Sequence, residues 1–71
     1  MDEKIMGVRY AVYEERVLTT STDEAEILSV AGDVRTAIAY AMTHQGVVYS
    51  YDLTAEEEYI NETFVYDGTK A

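Results

Sequence analysis

STDEAEILSVAGDVRTAIAYAMTHQG, residues 21–46, is the stretch on which the fold turns. Ser21 and Glu24 have the Ser-x-x-Glu form of a helix capping box. Asp23, Glu24 and Glu26 place negative charge where a first helical turn would favour it. Ile27, Ala31, Val34, Ile38 and Ala41 then recur at helical spacing, and Leu28, Val30, Ala37 and Met42 widen the stripe into a core-facing arc. Gly46 suits a C-terminal stop. The spacing predicts one amphipathic helix over residues 23–45. Gly32 is its weak point, since glycine costs roughly 1 kcal/mol against alanine inside a helix. The alternative is that Asp33 caps a second, shorter helix.

Strand patterns flank this stretch on both sides. In residues 6–13, Val8, Tyr10 and Val12 alternate with Arg9, Ala11 and Tyr13. Glu14 and Glu15 suit a tight turn, and β-branched residues in 16–20 suggest a returning strand, which makes a hairpin. Residues 47–53 put Val47, Tyr49, Tyr51 and Leu53 on one face and Val48, Ser50 and Asp52 on the other. Residues 59–66 read as a fourth strand, with Ile60, Phe64 and Tyr66 alternating with Tyr59, Asn61, Thr63 and Val65. Thr54 and Glu57 also form a capping box, and Ile60 with Phe64 an i, i+4 pair, so a short acidic helix over 55–63 is the alternative. The strand is preferred because the run is aromatic and β-branched, with no alanine or leucine in 59–66. The expected architecture is α+β, in the order β-β-α-β-β: one helix on an antiparallel sheet, the other sheet face left to solvent or a partner. Residues 1–71 form a single small domain with frayed ends at 1–4 and 68–71.

Composition narrows the chemistry. The 71 residues hold no cysteine, so neither a disulfide framework nor a Cys-based zinc site can be built. Nucleophilic catalysis needs an activated nucleophile beside a base. The serines are Ser21, Ser29 and Ser50, and His44, the single histidine, lies near a helix C-terminus, where it offsets the dipole. Acid pairs for glycosidase work can be drawn from 14 carboxylates, but a domain this small offers little room for a cleft. Glu56, Glu57 and Glu58 lack the spaced oxygens and glycine turn of a calcium loop, and no phosphate-loop pattern occurs. The expectation is no enzyme, no cofactor and no metal. No run approaches the roughly 20 apolar residues of a membrane span. Met-Asp-Glu-Lys lacks the start of a signal peptide, so the chain is expected in the cytoplasm and the Asn61-Glu62-Thr63 sequon is read as chance.

Charge and tyrosine remain. Fourteen Asp and Glu face five Lys and Arg, a formal net charge of −9. Between Arg35 and Lys70 there is no Lys or Arg, while Asp52, Glu56, Glu57, Glu58, Glu62 and Asp67 fall in the interval. Such a span projects negative potential, repels nucleic acid and anionic lipid, and attracts a basic surface. Seven tyrosines exceed what a thin core holds, and tyrosine is a good surface anchor. On the expected helix, Tyr40 lies opposite the apolar arc, among Glu26, Ser29, Asp33 and His44. The expected partner-binding residues are therefore Asp52, Glu56, Glu57, Glu58, Glu62, Tyr40, Asp33, Glu26 and Tyr59.

In size, charge and aromatic content the chain resembles the small, acidic, cysteine-free proteins that phages encode against host defence or transcription. Antirestriction, anti-CRISPR and polymerase-inhibitor proteins are examples. No motif carries the likeness, so it transfers no functional residue. It implies an acidic inhibitor or nucleic-acid-mimicking decoy that occupies the basic cleft of a nucleic-acid-binding protein, without itself binding nucleic acid or membrane. A different expectation is a non-catalytic structural or regulatory subunit. The open sheet face, or the edge of the 59–66 strand, would then form a homodimer or extend a partner's sheet.

Overall fold

The chain turns at Gly32 and Asp33. Asp33 is extended, and its carboxylate accepts the Thr36 N–H at 2.9 Å and the Thr36 hydroxyl at 3.2 Å. This side-chain cap starts helix α1, Val34–His44. The computed structural model describes residues 4–70, and upstream of the cap it has Ile27–Ala31 as strand β2 rather than helix. The single helix over 23–45 is thus corrected to the shorter helix capped by Asp33. Four of the five residues in 27–31 are apolar, a pattern that fits either period. Gly32 weakens the helix there, and β1 (Ile5–Tyr13) supplies a pairing partner. The Ser21-x-x-Glu24 box builds one turn only, in which the Glu24 and Ala25 N–H groups both donate to the Ser21 carbonyl.

The returning strand over 16–20 is also corrected. Glu15–Leu18 form a 3-10 turn whose Val17 is buried. Tertiary burial of that one valine overrides the local strand preference. Strand β1 pairs instead with β2, and residues 14–26 connect them. Val47–Thr54 is strand β3 and Tyr59–Asp67 is strand β4, so residues 59–63 are strand and not acidic helix. Among the described residues the fold is α+β, with one α-helix and a four-stranded antiparallel sheet ordered β2-β1-β3-β4.

Both sheet faces are covered at one end. On one side, α1 lays Ala37 and Ala41 onto Val12 of β1 and Val48 of β3. Two alanines let the helix sit close to the sheet, and the backbone around it is equally tight. A Cβ on Gly46 would meet Val12 Cγ1 at 2.5 Å. A Cβ on Gly68 would meet the carbonyl oxygens of Ala41 and Gly46 at 2.5 and 2.6 Å. Gly68 is buried, donates its N–H to the Gly46 carbonyl, and opens a second 3-10 turn, Gly68–Lys70. Residues 68–70 are therefore docked, not frayed; residues 1–3 and 71 lie outside the described residues. The helix stop itself is Gln45, at φ 55°, with Gly46 following it. On the other sheet side, Val17 and Ala25 from residues 14–26 pack on Ala11, Tyr13, Val47 and Tyr51. The sheet face expected to be open is thus half covered.

The covers are shorter than the strands. Eleven helical residues span about 16 Å, whereas the nine residues of β1 span about 30 Å. The remainder of β1, β3 and β4 runs past the helix as a three-stranded arm, and the longest dimension of the molecule is 40 Å.

Candidate docking site

The arm ends in the β3–β4 turn. The Glu57 N–H donates to the Thr54 carbonyl at 3.0 Å, and the Thr54 N–H to the Glu58 carbonyl at 2.9 Å. Glu57 has φ 64°, the left-handed residue that closes a three-residue hairpin loop. The Thr54 hydroxyl accepts the Glu58 N–H, and Thr54 is 1% exposed. The Thr54-x-x-Glu57 pattern therefore caps a turn rather than a helix. The Ala55 N–H donates to the Lys4 carbonyl, which ties the turn to the start of β1. Glu56, Glu57 and Glu58 stand exposed at this tip. Their carboxylates have no hydrogen bond or ion pair among the described residues. The one ion pair found there, Glu14 with Arg16 at 3.6 Å, involves neither the tip nor the arm.

On the side of the sheet that carries α1, the arm presents a cross-strand row. Val8, Asp52 and Ile60 are directly paired neighbours. Ile5 pairs with Thr54 one step nearer the tip. Ile5 is 44% exposed and Val8 39% exposed. Asp52 accepts from the Asn61 amide at 2.9 Å, and Asn61 has φ 57° where β4 bulges. Asparagine tolerates that conformation better than most residues. On the opposite side, Gly7, Leu53 and Tyr59 form the corresponding row, and Tyr59 is 47% exposed. Arg9 also points to that side, where its guanidinium donates to the Val8 carbonyl. Lys4 and Arg9 are the cations of the arm, against Asp52, Glu56, Glu57, Glu58 and Glu62.

Glu62 is a brace at the root of the arm. Its Oε1 accepts the Tyr51 hydroxyl at 2.8 Å and the Thr22 hydroxyl at 2.7 Å. Tyr51 in turn accepts the Tyr13 hydroxyl at 2.6 Å. The chain of bonds clips residues 14–26 onto the sheet. Burial pushes the Tyr51 phenol well above its usual ionisation range, and the bond it donates to the Glu62 carboxylate adds to the shift. Burial also raises Tyr13.

The remaining expected site residues lie elsewhere. Asp33 caps α1, and Glu26 is exposed before β2, its N–H donating to Glu14 Oε2. Tyr40 is half-buried, stacked on His44 with ring centroids 4.0 Å apart, its hydroxyl 3.4 Å from the Leu28 carbonyl. The expected outer stripe of Tyr40, Glu26, Ser29, Asp33 and His44 is corrected, because only Tyr40 and His44 belong to α1. The structure brings together Asp52, Glu56, Glu57, Glu58 and Tyr59, with Glu62 at their base. It adds Ile5, Val8 and Ile60, whose common face depends on the cross-strand register and could not be read from local alternation alone.

Among the described residues there is no enclosed pocket and no group of three His, Asp or Glu placed to hold a metal ion. No helix there is long and apolar enough to cross a membrane. Comparison with known proteins found no match to a family model, to a curated protein or to a solved structure.

Proposed function

We propose that this chain is a non-catalytic, cytoplasmic docking protein whose acidic arm occupies a basic, nucleic-acid-binding surface of another protein. It acts there as an inhibitor or decoy, in the manner of small phage proteins directed against host defence or transcription. The observation that carries the reading is the tip of the arm. Glu56, Glu57 and Glu58 are consecutive and exposed in one turn, without an internal counter-ion among the described residues. They lie within about one Debye length of each other at physiological salt, so an approaching surface meets them as one local charge. Such a charge steers association and loses reach as salt rises. Asp52 and Tyr59 extend the contact down the two faces of the arm.

The alternative is a structural subunit that adds to a second sheet. Its support is β4, a nine-residue strand at the sheet edge. The bulges within β4 and the net charge both work against edge-to-edge pairing. Affinity capture at low and high salt, followed by titration of the captured protein with wild type and Glu56→Lys/Glu57→Lys/Glu58→Lys, separates the readings. The acidic reading expects salt-sensitive binding that charge reversal abolishes and that competes with nucleic acid. Affinity and salt dependence unchanged by the reversal would discard it. A tight homodimer in light scattering would favour the sheet-adding subunit.

A further inference from the structure

We infer that the helix-side shelf of the arm, built by Ile5, Val8 and Ile60 around Asp52, receives a cationic amphipathic segment of the partner, one that alternates Lys or Arg with aliphatic residues. This rests on the docking reading and names its ligand class. Two independent features meet on the shelf. The first is apolar. Ile5 and Val8 lie open because α1 is too short to cover them, and Ile60 continues the same row. The second is charge. Asp52 sits between Val8 and Ile60 in the row, held in place by Asn61, and Glu56, Glu57 and Glu58 rim the far end.

Charge complementarity selects the occupant. A second copy of this chain, meeting arm to arm, would oppose Asp52 and the tip triplet with their own images. Nucleic acid and anionic lipid carry the same sign as the rim. A purely cationic segment would satisfy the rim but leave Ile5, Val8 and the open part of half-buried Ile60 in water. A segment with both features buries the aliphatic row and neutralises the acids at once.

The test uses two peptides of equal length and charge: one of Lys and Leu in amphipathic register, and the same peptide with every Leu replaced by Ser. Calorimetric titration into the full chain is expected to show the Lys/Leu peptide binding about tenfold tighter or more. The Val8→Ser/Ile60→Ser variant, checked for native circular dichroism, should erase that difference. Ile5→Ser, on a side chain already open to water, provides a second variant should the double one fail to fold. Glu56→Gln/Glu57→Gln/Glu58→Gln should weaken both peptides alike. Equal affinity of the two peptides for wild type overturns the apolar shelf and leaves acidic docking standing. A Leu advantage that survives the shelf variants overturns the placement. Binding of neither peptide overturns both readings.

Discussion

Val12 and Val8 sit four residues apart on β1 and face the same side of the sheet, yet they belong to different regions. Val12 lies under Ala37 and Ala41 and is 0% exposed, whereas Val8 lies beyond the helix, beside Asp52. The strand is continuous and its cover is not. The covered end holds the fold together, and the uncovered end leaves aliphatic and acidic side chains for something else to meet. A chain this short has limited apolar surface to bury. Here it is concentrated at one end and the sheet is extended past it.

The contrast can be broken most directly with the two valines. Val12→Ala should cost about 2–3 kcal/mol by loss of two buried methyl groups and the space they leave. Val8→Ala should cost less than about 1 kcal/mol. Chemical denaturation of the two variants measures the gap, and equal losses would mean that the arm is as much core as the covered end. Next in size is the hydroxyl chain under residues 14–26. Tyr51→Phe should cost about 1–2 kcal/mol, since Tyr13 and Glu62 both lose a partner. Its pH dependence has a definite sign. The raised Tyr51 and Tyr13 ionisations stabilise the fold below the unfolded value of 10.0, and that contribution is lost as pH rises above it. Wild type should therefore weaken in alkali more steeply than Tyr51→Phe when unfolding midpoints are compared across that range. The smallest effect is a gain on the arm. Glu57→Gly should stabilise the chain by about 1 kcal/mol, because Glu57 holds a left-handed conformation that glycine adopts freely. A thermal melt reads the gain, and a loss would mean that the Glu57 side chain supports the turn.

Much of the sheet is legible in local alternation. The Val8, Tyr10, Val12 face and the Val47, Tyr49, Tyr51, Leu53 face are both present as read, because strands buried on at least one side carry a period of two. The helix over 23–45 fails at a specific place. Apolar spacing runs unbroken through Gly32, so periodicity could not say where strand gives way to helix, while the Asp33 cap marked the true start. Residues 16–20 misled for a different reason, since Val17 is buried by a face of the sheet that local sequence does not reveal. The acidic tip was legible because Glu56, Glu57 and Glu58 are adjacent in the chain. The shelf was not, because Val8, Asp52 and Ile60 meet through pairing in a sheet whose β1 and β4 both shift register nearby. Glu62 and Asp33 show the converse. Both were expected at the partner surface, Asp33 with helix capping as its alternative, and both carboxylates serve the fold.

Docking by the uncovered end leaves a footprint on the backbone. The most direct measurement is a residue-by-residue map of backbone amide shifts as the Lys/Leu peptide is titrated into the isotope-labelled chain. Shifts should cluster in residues 5–9 and 50–60 and leave α1 and residues 14–26 unmoved. Shifts centred on the helix, or spread evenly over the molecule, would contradict docking there.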